Sequence, residues 1–366
     1  MPSEQPLLKA VGLTKHFRLG QPWSRHMLHA VDDVNLEIPA GKIVALVGES
    51  GSGKSTVVRL LDMLYRPTAG EIYFEGRPTS AMRSRRAQKA FRRGVRLVFQ
   101  DPYSMSNPAY RVSHSLVRSA KLHRPDLKPR ARRQEVECVL ETVGLVPGHE
   151  IIDRFPYELS GGQRQRVGFA EALVSRPRVI LADEPVSMLD VSIRIGLLNL
   201  MSDLRDREGV SVLYVTHDIA SAWYLADSVA VMYAGKLVEQ GPADLVLRRP
   251  SHPYTQLLLS AVPDPRAPLS LTEAGTGEPP RVIDPDGGCR FRPRCPYAMG
   301  RCSSSTPELV PVRDGQSAAC FFTQQAGELP ALDQAPASAP VAWRPGDEVL
   351  ATTDGDSPVG GRAGPG

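Results

Sequence analysis

The chain has 366 residues, of which 42% are hydrophobic and 23% charged, and its net charge is +4. A globular chain of this length can hold two domains, or one domain with appendages. No apolar run approaches the roughly 18–20 residues of a membrane-spanning helix, and the positive balance is too small to imply nucleic acid.

The N-terminus, Met1-Pro2-Ser3-Glu4-Gln5-Pro6, has no basic flank and no apolar h-region, so no secretory signal and a cytoplasmic location are expected. Residues from about Leu7 to Ile38 read as short strands broken by a polar loop near Gly20-Gln21-Pro22. The apolar run Ile43-Val44-Ala45-Leu46-Val47 then enters Gly48-Glu49-Ser50-Gly51-Ser52-Gly53-Lys54-Ser55-Thr56, which fits G-x-x-x-x-G-K-[ST]. Glycines let successive N–H groups turn inward toward phosphate oxygens. The helix opening at Lys54 adds unpaired N–H groups and partial positive charge. Lys54 can reach the β- and γ-phosphates and Ser55 can ligate Mg2+, so this loop predicts binding of a nucleoside triphosphate.

Further on, Glu71-Ile72-Tyr73-Phe74 alternates like a strand. Arg83, Arg85, Arg86, Lys89, Arg92, Arg93 and Arg96 form a basic run that reads as a solvated helix face. Val95 to Gln100 is another strand, and residues 101–158 turn helical and polar, in the manner of an inserted helical subdomain. Val179-Ile180-Leu181-Ala182 is a buried strand ending in Asp183-Glu184. Carboxylates at such a strand end, beside a phosphate loop, meet the metal and the attacking water; Asp183 suits the Mg2+ shell and Glu184 the water. Ile193 to Leu204 has helical spacing, and Val212 to Val215 is a further buried strand. Val229 to Met232 and Lys236 to Val238 flank Tyr233-Ala234-Gly235 as a hairpin. Strand–helix–strand alternation predicts a mainly parallel α/β sheet. Helical pieces run to about Val262. Residues 263–287, rich in proline and acids, read as a linker, and residues 327–366 as a disordered tail.

Leu159-Ser160-Gly161-Gly162-Gln163-Arg164-Gln165-Arg166 offers exposed backbone N–H groups at a helix start, a second phosphate-binding end. This stretch is similar to the signature of ATP-binding-cassette ATPases, and the family's other parts follow in order over roughly residues 7–262. Gln100 stands where the glutamine-loop residue does. Ser187-Met188-Leu189-Asp190 resembles the aspartate loop, and His217, in Tyr214-Val215-Thr216-His217-Asp218, resembles the switch histidine. Phe17 sits where the family places an aromatic ring against adenine. A narrower resemblance, to the oligopeptide/dipeptide (and nickel) importer ATPases, rests on residues 99–108, 251–258 and 288–296. Lys15-His16-Phe17 and the phrase at Gln100 look like the second, F-type, ATPase of a heterodimeric pair.

The resemblance implies an α/β P-loop NTPase cassette over residues 1–262, with a mixed or parallel core sheet, an N-terminal antiparallel β subdomain and a helical subdomain at about 101–158. A small C-terminal cysteine-cluster extension, 263–326, follows. It implies two cassettes packed head to tail around ATP and Mg2+. The loop from Gly48 to Thr56 would hold one ATP, while Ser160, Gly161, Gly162, Gln163 and Asp190 would meet nucleotide across the dimer. Glu184 would act as general base, His217 would contact the γ-phosphate, and Gln100 would ligate Mg2+ or water. The implied partners are a second homologous ATPase subunit, two transmembrane permease subunits and an extracytoplasmic substrate-binding protein, with no nucleic acid. The chain would sit peripherally on the cytoplasmic face of the membrane. Two other readings stay open: the same ATPase role in an oligosaccharide or nickel importer, and a soluble non-transport cassette ATPase. The last usually carries fused cassettes or a coiled-coil insertion, which this chain lacks.

Cys289, Cys295, Cys302 and Cys320 are spaced C-x5-C-x6-C-x17-C, while Cys138 stands apart and reads as a buried, inert thiol. Disulfides are disfavoured in a cytosolic protein, and four thiols in a proline-rich segment with little core suggest a metal staple. The spacing is wider than the pairs of structural zinc sites and suits an iron–sulfur cluster better. The importer resemblance also implies a [4Fe–4S] cluster; zinc and free thiols are the alternatives. Arg290, Arg292 and Arg294 are expected to screen the cluster's negative charge.

Overall fold

The computed structural model describes residues 5–21, 23–101, 107–261 and 281–330. Two long strands, β1 (Leu8–Arg18) and β2 (Met27–Ile38), open the chain. β3 (Ile43–Val47) leads through the phosphate loop into α1 (Lys54–Leu61), followed by β4 (Ala69–Phe74), β5 (Arg77–Pro78), α2 (Arg85–Gly94) and β6 (Val95–Val98). The helical subdomain is α3 (Val112–His123), α4 (Pro129–Thr142) and α5 (Gly148–Ile151). Then come α6 (Gly161–Leu173), β7 (Val179–Asp183), α7 (Val191–Glu208), β8 (Ser211–Thr216) and α8 (Ile219–Leu225). The hairpin β9 (Ser228–Tyr233) and β10 (Lys236–Pro242) precedes α9 (Ala243–Arg248) and α10 (Pro253–Ser260). The C-terminal segment adds α11 (Gly300–Ser304), β11 (Val310–Arg313), β12 (Gln316–Ala318) and α12 (Phe321–Ala326).

An antiparallel sheet, β2-β1-β4-β5, lies against an eight-stranded mixed sheet, β11-β12-β10-β9-β3-β8-β7-β6. β9, β3, β8, β7 and β6 run parallel, and the wing from β10 to β11 is antiparallel. Central parallel strands are buried on both faces, which is why β3 and β7 are unbroken apolar runs. Successive side chains alternate faces. Ile43, Ala45, Val47, Ile180 and Ala182 enter one core with α6 and α7. Val44, Leu46, Val179 and Leu181 enter another with α1 and the antiparallel sheet. The phosphate loop and the Asp183-Glu184 pair therefore emerge at the same edge of a rigid sheet. Among the described residues, no helix is long and apolar enough to cross a membrane.

Four expectations change. The opening strands are long, 11 and 12 residues, because each fills the core along one face while the other stays partly exposed. The linker reading covers residues 263–287, of which 263–280 lie outside the described residues, but its last part pairs with β2. His29 N–H donates to Val282 O at 2.9 Å, and Asp284 N–H to Met27 O at 3.2 Å. The tail reading lies outside the described residues from 331 onward; its start is tied down, with Arg313 on Glu328 at 3.0 Å and the Tyr297 hydroxyl donating to Pro330 O at 2.9 Å. Cys138 is exposed rather than buried. The buried residues of α4 are Val136 and Leu140, one helical turn apart, and Cys138 lies midway, rotated off that face. Residues 102–106 of the importer-like phrase also lie outside the described residues.

Candidate nucleotide site

The phosphate loop curls around its own lysine. Lys54 Nζ donates to the carbonyls of Gly48 and Glu49 at 2.7 and 2.8 Å, and lies 3.8 Å from the Glu184 carboxylate. Burial pulls the Lys54 pKa down, against the raising effect of Glu184, Asp183 and Glu49. Gly53, at φ 105°, ends the loop in the left-handed region, and a Cβ there would stand 2.2 Å from Ala30 O. Only glycine fits. Ser50 and Gly51 form the exposed tip, while Ser52 is buried and its carbonyl accepts the Gly235 N–H at 2.9 Å. Thr56 N–H bonds Gly53 O at 3.0 Å in the first turn of α1.

Ser55 Oγ donates to Asp183 Oδ1 at 3.1 Å. Burial raises the Asp183 pKa, so its carboxylate is short of a compensating cation. A hydroxyl and a carboxylate, both hard oxygen donors, beside the phosphate loop fit Mg2+. Three groups converge on Glu184. Gln100 Nε2 donates to Oε2 at 3.2 Å, His217 Nδ1 lies 3.2 Å from the same oxygen, and Lys54 approaches Oε1. Gln100 also reaches Ser187 Oγ at 3.3 Å. Glu184 itself has φ 45°, uncommon for a residue with a side chain, and its N–H is fixed to Val215 O at 3.0 Å. Phe17 is half-buried, edge-on to Tyr65 at 5.6 Å, with Lys15 Nζ 5.2 Å from its ring.

The signature segment stands apart: residues 160–163 share no hydrogen bond with residues 48–56. Ser160 caps α6. Its hydroxyl accepts the Gln163 N–H at 3.2 Å while Gln163 Oε1 accepts the Ser160 N–H at 3.0 Å, a reciprocal capping box. A Cβ on Gly161 would lie 3.4 Å from Leu189, and one on Gly162 2.4 Å from Ile193 Cγ2. The signature therefore packs on the loop that carries Asp190, itself exposed at the start of α7.

Sequence reasoning did not anticipate how Glu49 is held. Its N–H donates to the Tyr254 hydroxyl at 2.8 Å and its carboxylate takes both nitrogens of the Arg294 fork at 2.8 and 2.9 Å. The other two arginines of that segment also meet carboxylates, Arg290 on Asp32 and Arg292 on Asp286. Each of these arginines, expected to screen the cysteines, also meets a carboxylate: Arg290 and Arg294 pair with acids far off in sequence, Arg292 with nearby Asp286. Only the two halves of Arg-carboxylate pairing are visible in sequence, never the pairing itself. His16, His29 and Asp32 bring three ligand atoms within 4.8 Å of one another. Arg290 already supplies a cation to that carboxylate.

Cys289, Cys295, Cys302 and Cys320, all free thiols, line one small cavity with Phe291, Tyr297 and Phe321. Burial raises the Cys289 pKa to about 11, and raises Cys295 and Cys320 as well. Among the described residues the His16 group is the one set of three ligand atoms mutually within 4.8 Å, so no three of these sulfurs close to that spacing. A tetrahedral zinc with bonds of about 2.3 Å holds its sulfurs roughly 3.8 Å apart.

Phosphate loop, strand-end acids and mixed sheet define a P-loop nucleotide hydrolase. The chain belongs to the ABC transporter family and is an ATPase of that family. The ABC transporter model matches residues 31–187, and the oligopeptide/dipeptide transporter C-terminal region matches residues 238–302. Dipeptide transport ATP-binding protein DppF of Haemophilus influenzae is 41% identical over 320 residues, 86% of this chain and 96% of that one. DppF of Escherichia coli is 40% identical over 329 residues, 88% of this chain and 96% of that one. Among solved structures, the dimeric cassette MJ0796 bound to ADP and Pi superposes with a TM-score of 0.57 at 29% identity, covering 64% of this chain and 98% of that one. CbiO1 of Clostridium perfringens, part of the transporter complex cbiONQ, gives 0.58 at 27% identity over 67% and 92%.

Proposed function

We propose that this chain is the F-type ATPase subunit of an importer of dipeptides or oligopeptides, working on the cytoplasmic face of the membrane. It would pair with a homologous ATPase subunit, two permease subunits and an extracytoplasmic binding protein. The observation that carries the cargo reading is the oligopeptide/dipeptide C-terminal region at residues 238–302, joined to relatives named for dipeptide transport.

The residues support a mechanism. On ATP binding, Lys54 exchanges the Gly48 and Glu49 carbonyls for β- and γ-phosphate oxygens. Ser55 and Asp183 would hold Mg2+, which supplies charge neutralisation of the phosphates. Glu184, held by Gln100 and His217, orients the attacking water and accepts its proton. His217, more than half exposed, is free to turn to the γ-phosphate once Glu184 binds water. Ser160, Gly161, Gly162, Gln163 and Asp190 make no hydrogen bond to this chain's own phosphate loop, which suits nucleotide held by the companion subunit. ATP thus closes the dimer through its higher affinity for the closed state.

We also assign the four thiols to a [4Fe–4S] cluster. No three of the sulfurs lie mutually within 4.8 Å, looser than a mononuclear zinc site holds them, and bound metal would offset the cost of burying thiolates. About four irons and four sulfides per chain are expected after anaerobic purification; zinc in their place refutes the assignment. For the cargo, the chain is co-expressed with candidate companion ATPase and permease subunits and reconstituted in vesicles with a candidate binding protein. Dipeptide-stimulated ATP hydrolysis is the expected result, and stimulation by nickel or an oligosaccharide alone overturns the peptide reading.

A further inference from the structure

We propose that Arg294 is a positioning residue for the phosphate loop, acting through Glu49, so that the cysteine-rich segment sets ATP affinity through its grip on that loop. Arg294 closes a short 3-10 turn, Arg292–Arg294, immediately before Cys295. Its guanidinium crosses to a residue 245 positions earlier and grips both carboxylate oxygens of Glu49, at 2.8 and 2.9 Å. Both side chains are largely withdrawn from solvent, 12% and 25% exposed. The fork lies 5.8 Å from the Tyr233 ring and 5.9 Å from Phe291, so aromatic packing fixes its plane.

Every polar group of Glu49 is committed. Its carboxylate belongs to Arg294, its N–H to the Tyr254 hydroxyl, and its carbonyl to Lys54 Nζ. A second tie runs parallel. Arg290 donates to Ala234 O and Asp32, and these flank Gly235, whose N–H holds Ser52 O and whose carbonyl accepts the Asp32 N–H. Two arginines of the cysteine segment therefore clamp the two ends of the loop tip.

The physical consequence is electrostatic and conformational. Without Arg294, a largely buried carboxylate would lose its hydrogen-bonded cation, leaving only the nearby Lys54, beside the site of a highly charged triphosphate. The loop would also lose the anchor that keeps its inward N–H groups organised before ATP arrives. Arg294 acts through Glu49, which shapes the loop, and not through the water-orienting Glu184, so the loss falls on binding rather than on the chemical step. Lysine keeps the charge but cannot reproduce a two-point fork.

The inference rests on ATP occupying this loop, and on neither the cargo nor the identity of any cysteine-bound metal. The test uses the full chain in its assembled complex. Arg294→Gln, Arg294→Lys, Glu49→Gln and the Glu49→Gln/Arg294→Gln pair are compared by fluorescent-ATP titration, by KM and kcat for ATP, and by metal content. Arg294→Gln should raise Kd and KM about 5–20-fold with kcat within about twofold, and lysine should recover part of the loss. On the Glu49→Gln background, Arg294→Gln should add less than about twofold, because the partner is already gone. Glu49→Gln leaves the cysteine segment's sequence intact and so reads the pair from the loop side. Additive effects, or a fall in kcat at constant KM, overturn the proposal. Wild-type complex that binds no ATP removes the nucleotide reading itself; wild-type binding with unaltered variants removes only the role of Arg294.

Discussion

The Ser55 hydroxyl donates to the Asp183 carboxylate at 3.1 Å, across 128 residues of sequence, and so joins the start of α1 to the end of β7. Burial has already lifted the Asp183 pKa, so a cation placed between the two gains an anion short of compensation. Asp183→Asn should cut ATP hydrolysis by roughly 10²-fold or more. It should also shift the Mg2+ titration of hydrolysis to higher concentration. An unchanged Mg2+ midpoint would remove Asp183 from the metal shell.

Glu184 is held by the Gln100 amide and by His217, with Lys54 nearby. Glu184→Gln keeps the shape and one acceptor oxygen for Gln100 and His217, but replaces the oxygen near Lys54 with an NH2 and removes the carboxylate's basicity. Nucleotide affinity should stay within about threefold while turnover of the complex falls roughly 10²–10³-fold. Retained turnover would show that the water is activated elsewhere.

Gly162 is tightly packed as well as part of the signature. A Cβ there would stand 2.4 Å from Ile193 Cγ2, so either the Ile193 side chain or the spacing of α6 and α7 must give once a methyl is added. Gly162→Ala should destabilise the fold by about 1–3 kcal/mol in urea titration. Adding Ile193→Ala should return most of that loss if the contact is the cause.

His252 supplies a pH-dependent contribution to stability. It is buried at the start of α10, and Nδ1 accepts the Tyr254 N–H at 3.1 Å, which requires the neutral ring. Burial lowers its pKa from 6.5 to about 3. Between those values the unfolded chain binds the proton and the folded chain does not, so the contribution is whole above pH 6.5 and is lost as pH falls toward 3. Glu239 runs the other way. Its pKa, raised by burial from 4.5 to about 7, gives stability that is full below 4.5 and lost as pH rises through 7. His252→Asn keeps a capping oxygen without a titrating ring. The wild-type-minus-variant difference should therefore be flat above pH 7 and decline below 6.5, with a slope of at most about 1.4 kcal/mol per pH unit. A flat difference down to pH 4 would count against a neutral, buried His252.

Much of the cassette was legible because its chemistry is local in sequence. β3 and β7 announce themselves as strands buried on both faces, and the residues that follow each carry their own motif. What escaped was tertiary. Glu49 reads as one more loop position, and nothing near it signals Arg294 or the Tyr254 hydroxyl. β11 and β12 are only 4 and 3 residues long, too short for alternation to register. The acidic stretch ending near Asp284 has the composition of a linker, yet its backbone finds the free edge of β2. Cys138 was misjudged because a lone cysteine carries no helical phase; Val136 and Leu140 set it.

The hairpin of β11 and β12 also changes where this protein can safely be cut. Glu239 and Gln240 of β10 pair with Ala318 and Ser317, and the buried Glu239 carboxylate accepts the Gln316 amide at 2.6 Å. A chain ended at residue 262 would keep every nucleotide motif, yet it would strip the last ladder from β10 and leave an acid without its amide partner. The new rim would be a bare strand offering unsatisfied N–H and C=O groups, a template on which a second molecule can dock strand to strand. The cysteine segment is thus a selvedge, woven into the main sheet and keeping its border from unravelling into its neighbours.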